Sequence, residues 1–256
     1  MKKPKPFATE ADLCARFLSA IPEEWTAYPE WGGWDILLVR KEDGFQVGIE
    51  AKLHLNAKVL TQALEEYGSW HAGSPGPDCR AILVPESEHG YGVIAAYIGI
   101  TVIRVYGVEK RYGRGNVFYP DLPNNLRGHG GTSESWHEWL PLKRHKLPDY
   151  VPDVVAGAPA PLRLTDWKIK AIKIAITLET RGFVTRADFK HLSIDHRRWL
   201  PSGTGWLSIE DGRYVKGPHF PNLRAQHPVV YEQIVADVEK WMLKEAPVPP
   251  KQKELL

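Results

Sequence analysis

The sequence predicts an α/β protein of the α+β kind: a mixed central sheet flanked by helices, followed by a small C-terminal domain. Three observations carry that prediction. Amphipathic helical stripes and short β-branched runs alternate over the first hundred residues. A proline- and alanine-rich stretch, "LPDYVPDVVAGAPAPLRL", then interrupts all periodicity. Beyond it, two helical patterns precede a short hairpin pattern. The expected organisation is a first domain over 1–147, a linker over 148–165 and a C-terminal domain over 166–256.

Thr9 followed three residues later by Asp12 has the form of a capping box, and Leu13, Cys14, Phe17, Leu18 and Ile21 make one apolar stripe behind it. "WDILLVR" and "FQVGIEAKL" read as two strands of a hairpin around the turn "KEDG". "NAKVLTQALEEYGSWHA" reads as a second helix, and "CRAILVPE" and "YIGITVIRVYG" as buried strands. In the second unit, "TDWKIKAIKIAITLETRGF" is a helix stopped by Gly182, with Trp167, Ile169, Ile172, Ile176 and Leu178 on its apolar side. "TRADFKHL" repeats the capping-box pattern, and "GWLSIEDGRYVKG" holds two strands around Asp211-Gly212. Two helices and a hairpin in that order resemble a winged helix-turn-helix.

Composition excludes several classes. With 43% apolar and 25% charged residues the chain has the make-up of a folded protein rather than a disordered one. No apolar run reaches the ~20 residues that cross a bilayer, and "MKKPKPFATEADL" lacks the apolar core of a secretory signal. Cys14 and Cys79 alone make neither a disulfide framework nor a thiolate zinc site. The expectation is a cytoplasmic protein without a membrane partner. From Val151 onward 16 Lys and Arg stand against 12 Asp and Glu, and between Arg163 and Lys216 the count is 11 against 6. That excess favours a polyanionic partner for the C-terminal part. Arg186, Lys190, Arg197 and Arg198 are the candidates for nucleic-acid contact.

The hairpin holds the chemistry. If Lys41–Gly44 form a four-residue loop, Arg40 faces Phe45 and Asp35 lies across from Glu50. If only Asp43-Gly44 turn, Asp35 lies across from Lys52. Either register places Asp35, Glu50 and Lys52 on one face, shared with Leu37 and Val39. Two carboxylates ~5 Å apart raise each other's proton affinity unless cations intervene. Lys52 supplies one positive charge, and Mg²⁺ suits the rest. At 100° per residue, Glu10 falls in the middle of the stripe of its own helix, where an acid needs a partner or the helix N-terminus.

Asp35, fourteen residues, then Glu50-Ala51-Lys52 is similar to the D–(x)n–ExK signature of the PD-(D/E)XK nuclease superfamily. The helix–strand–strand–helix–strand order also resembles that superfamily's restriction-endonuclease-like core, over roughly the first 110 residues. The resemblance implies that Asp35 and Glu50 bind Mg²⁺ (or Mn²⁺ in its place), with the Ala51 carbonyl as a further ligand. It implies that Lys52 positions or activates the attacking water and stabilises charge on the phosphate. Glu10 matches the first-helix carboxylate of several branches, the archaeal Holliday-junction resolvases among them. Gln62 and Tyr67 resemble the QxxxY element of exonuclease-like branches, with one extra residue between them, and Trp34 stands where the name-giving proline would be.

The implied function is a Mg²⁺-dependent endonuclease or nickase acting on duplex or branched DNA, in a family whose members often form homodimers. The alternative is a catalytically idle nuclease fold that binds nucleic acid, or inhibits or adapts another nucleic-acid machine. RNA or single strands are further substrates that such hydrolysis admits. His54 follows just past Lys52 at the rim of the same face. His129, His137 and His145 are spaced for neither a helical face nor zinc, and "RGHGG" reads as a polar loop. Most of the ten tryptophans are expected in the core.

Overall fold

The computed structural model describes residues 6–64, 74–107, 115–123, 135–156, 164–200 and 204–243. It divides into two compact units, Met1–Arg163 and Leu164–Leu256. Tyr67, Trp70 and the "RGHGG" loop with His129 lie outside the described residues.

The first unit is a mixed α/β structure built on a six-stranded sheet in sequence order, flanked by helices. Helix α1 (Glu10–Leu18) precedes β1 (Trp25–Trp31), β2 (Trp34–Arg40) and β3 (Gln46–Ala51). Helix α2 (Ala57–Leu64), β4 (Cys79–Pro85), α3 (Gly92–Tyr97), β5 (Ile100–Val105) and β6 (Phe118–Tyr119) follow. β1–β2–β3 form an antiparallel meander, β3, β4 and β5 run parallel, and β6 returns antiparallel. The parallel links need crossovers, which α2 and α3 lie within. Three of these elements, β1, α3 and the two-residue β6, were not expected. β1 contains Pro29, which cannot donate to a ladder and is accommodated because β1 is an edge strand. α3 occupies a stretch whose valine, isoleucine and tyrosine content reads as β.

Thr9 and Asp12 close the capping box at the start of α1. Leu13, Cys14 and Phe17 of α1 pack against Ile36, Leu38, Val47, Ile49, Ala81, Leu83 and Ile103 on one sheet face. Val59, Leu60 and Ala63 of α2 cover Leu37, Val39, Ile82 and Val84 on the other. β3 is therefore buried on both faces along its whole length. Ala156, within the proline-rich stretch, is buried in the α1-side core, so that stretch begins as part of this unit. The segment around His145 stitches the start of β3: the Gln46 side chain donates to the His145 carbonyl and accepts its N–H, both at 2.9 Å.

The hairpin adopts the register of the four-residue loop, with Ile36 opposite Ile49 and the Arg40 N–H donating to the Phe45 carbonyl. Asp43 fixes the turn by accepting from the Phe45 N–H and from the Arg40 guanidinium. Strict alternation, however, fails at the start of β2. Trp34 shares the α2 side with Leu37 and Val39, and its ring lies over Gly48 so closely that a Cβ there would meet it at 2.4 Å. Two residues three apart on one face require a break in the period of two. Asp35 therefore does not follow the parity of Leu37 and Val39, and that part of the expectation is corrected.

In the second unit α4 (Asp166–Arg181) ends at Gly182, whose φ of 78° is the left-handed conformation a helix stop of this kind requires. α5 (Arg186–His191), a 3₁₀ turn (His196–Trp199) and the hairpin of β7 (Leu207–Glu210) and β8 (Arg213–Lys216) come next. Val184 bridges to Tyr214 of β8. Helices α6 (Leu223–Gln226), α7 (Pro228–Ala236) and α8 (Val238–Trp241) complete the unit. Trp167, expected within the apolar stripe of α4, is 41% exposed and touches Trp199 and Trp206 at the stripe's edge.

Candidate metal and phosphate site

Where β3 ends, the charged residues of the sequence motif gather. The ladder between β2 and β3 stops at Ile36 and Ile49, and the Asp35 carboxylate takes over, accepting the Ala51 N–H at 2.8 Å. One residue on, the Lys52 main chain donates to Leu83 of β4, which fixes where its side chain departs. Lys52 Nζ donates to Glu10 Oε2 at 3.1 Å and stands 3.6 Å from Asp35 Oδ2. Three separate elements thus deliver one ammonium and two carboxylates to a single spot. Glu50 is buried in β3 and lies near enough for its charge to act on Lys52.

The electrostatics follow from that arrangement. Burial alone lowers the proton affinity of Lys52, but Asp35, Glu10 and Glu50 together outweigh it, so its pKa is raised. Lys52 is accordingly a fixed ammonium. The Cys14 thiol below it is pushed up to about 12, by burial first and then by Asp35, Glu10 and Glu30, with Lys52 opposing. The spot under α1 is thus negative, and Lys52 offsets only part of it. Glu30 was not singled out from the sequence. It is buried in β1 with a left-handed φ of 53°, a local conformation that composition does not announce.

Glu10, Asp35 and Lys52 are therefore brought together, while Glu50, set between Ile49 and Ala51 of the α1-side core, acts on Lys52 through its charge. Ala51 takes part through its N–H. Gln62 is half-buried on α2, whose apolar residues pack on the sheet face opposite α1. Among the described residues no hydrogen bond joins it to the four charged groups. In the second unit Arg186 Nε donates to the Tyr214 hydroxyl at 3.1 Å, and Arg197 forks onto Asp195 at 3.2 Å. Arg198 and Lys190 are exposed.

The donor set has the chemistry of a hard divalent cation: carboxylate oxygens, one ammonium and no thiolate. Among the described residues no group of three or more His, Cys, Asp or Glu forms a ready metal site. Mg²⁺ needs only one or two carboxylates, since waters and phosphate oxygens fill the remaining positions. Asp35 with Glu10, which converge on the same ammonium, meets that need, so the residues fit the ion. No known protein family, curated protein or solved structure matches the chain. Among the described residues no helix is long and apolar enough to cross a membrane.

Proposed function

We propose that the protein is a metal-dependent nuclease that hydrolyses phosphodiester bonds of DNA, with a restriction-endonuclease-like first unit and a winged-helix-like second unit. The observation that carries this reading is the meeting of Glu10 and Asp35 on Lys52 at the end of β3. The α1–β1–β2–β3–α2–β4 order, with α1 and α2 on opposite sheet faces, supports the fold assignment. In the second unit, α4, the Val184 bridge, α5, the 3₁₀ turn and the β7–β8 hairpin follow the winged-helix order.

Asp35 and Glu50 would hold Mg²⁺ or Mn²⁺, with Glu10 and the Ala51 carbonyl as further oxygen donors. Bound there, the ion would neutralise charge on the scissile phosphate as a Lewis acid. Lys52, kept as an ammonium, donates to the phosphate oxygens and offsets the charge that develops on them. The β2–β3 ladder and the Ala51 N–H hold Asp35 in place before substrate arrives. Exposed Arg198 and Lys190 supply phosphate contacts on the second unit.

The closed ion pairs of Lys52 also favour a second reading, a nuclease fold kept as a binding scaffold, in which the ammonium permanently takes a cation's place. Calorimetric titration of Mn²⁺ separates the two. Saturable binding that Asp35→Asn abolishes supports the nuclease; no heat of binding in either protein supports the scaffold.

A further inference from the structure

Two chain segments leave the carboxyl edge of the parallel strands side by side, the edge at which open α/β sheets place their ligands. One carries Lys52, His54 and Leu55 beyond β3. The other turns after β4, where the Glu88 N–H donates to the Pro85 carbonyl at 3.1 Å. The Glu88 carboxylate joins them. Its Oε2 accepts the Leu55 N–H at 3.1 Å, and its Oε1 lies 3.2 Å from His54 Nδ1. Leu55 is buried, and Arg104 Nε donates to the Glu88 carbonyl, so neither end of this bridge is loose.

A carboxylate only accepts, so the His54 nitrogen facing it carries the proton. In the neutral ring the lone pair is then on Nε2, the tautomer a general base requires. The His54 side chain is 60% exposed and Glu88 22%, so the ring meets solvent more fully than its anchor. Only Leu53 separates His54 from Lys52, so their Cα atoms are at most about 7 Å apart. Lys52 itself, bound to Glu10 and Asp35 as an ammonium, has no lone pair to offer a water proton.

We propose that His54, oriented by Glu88, accepts the proton of the attacking water, which rests on the nuclease reading above. The water oxygen forms a bond to phosphorus as the ester bond to the departing sugar oxygen breaks. The water proton passes to His54 Nε2 and from there to solvent, and the departing oxygen takes a proton from solvent. Glu88 is a positioning residue in this step.

The test uses the full chain with Mg²⁺ on supercoiled plasmid and on bis(p-nitrophenyl) phosphate, whose leaving group needs no proton. His54→Ala should lose about 100-fold or more in kcat on both, with KM unchanged. Added imidazole should restore part of that rate. Glu88→Gln keeps an acceptor for Leu55 but turns an N–H toward Nδ1, imposing the wrong tautomer. It should lower kcat with the melting temperature nearly unchanged. His54→Ala within a few-fold of the parent while Lys52→Ala is inactive overturns the role of His54 and leaves the nuclease standing. So does a loss confined to plasmid, or a loss that imidazole does not restore and Glu88→Gln does not share. A parent that cleaves neither plasmid nor the small ester overturns the nuclease reading and this role together.

Discussion

Asp35 accepts the Ala51 N–H at 2.8 Å just beyond the last paired residues of β2 and β3. One side chain thus serves both the sheet and the candidate site, and two substitutions separate these duties. Asp35→Ala leaves a buried donor without its acceptor, at a cost of about 1–3 kcal/mol in urea denaturation. Asp35→Asn retains an acceptor oxygen and loses only the charge. It is expected to fold with nearly parental stability and to lose Mn²⁺ binding and cleavage.

Lys52→Met leaves Glu10 and Asp35 facing each other without their shared cation. Lys52 and Glu10 are 26% and 36% exposed, so solvent screening discounts the loss to about 1–2 kcal/mol. Because the folded pKa of Lys52 is raised, its contribution is full below the ordinary value of 10.5 and is lost only as pH rises through the higher folded value. The difference between parent and Lys52→Met in urea midpoint should therefore be constant across the neutral range.

Gly48 lies under the Trp34 ring, where a Cβ would be 2.4 Å from a ring carbon. Gly48→Ala forces the indole aside and should cost about 1–3 kcal/mol by thermal or urea unfolding. Since Asp35 follows Trp34 directly, the same variant should weaken Mn²⁺ binding.

His145 is buried, its Nε2 accepts from the Trp34 indole, and its pKa is lowered from 6.5 by burial first and by Arg80 second. The unfolded chain then binds a proton more readily than the folded one. Its contribution is full above 6.5 and is lost as pH falls from there toward the lower folded value. Urea midpoints measured on either side of that value should fall on acidification, and less so in His145→Gln.

Arg186 and Arg198 should behave differently although both are arginines of one basic unit. Arg186 donates to Tyr214, so Arg186→Ala should lower the melting temperature. Arg198 is exposed on the 3₁₀ turn, so Arg198→Ala should leave folding unchanged. It should weaken duplex binding equally for all sequences and reduce the salt slope by about one unit.

Much of this geometry was legible because it is local. The capping boxes of Thr9 and Thr185 and the Gly182 stop depend on residues a few positions apart, and the four-residue hairpin register is one of the two that the turn allowed. The approach of Asp35 to Lys52 was expected from either turn, although Asp35 reaches the spot by another route than parity. Trp34 over Gly48 breaks the alternation, a tertiary contact that no period announces. β1 was hidden by Pro29, α3 by its β-forming composition, and Glu30 by a left-handed φ. The Glu88–His54 bridge spans 34 positions and depends on how the parallel strands end.

The most direct measurement is cleavage of supercoiled plasmid in Mg²⁺ by the parent, by Glu50→Gln and by Lys52→Ala, with melting temperatures recorded for each. Relaxed or linear product from the parent and at least a hundredfold loss in both folded variants are expected under the nuclease assignment. Equal cleavage by all three proteins, or none by the parent under Mg²⁺ or Mn²⁺, would contradict it.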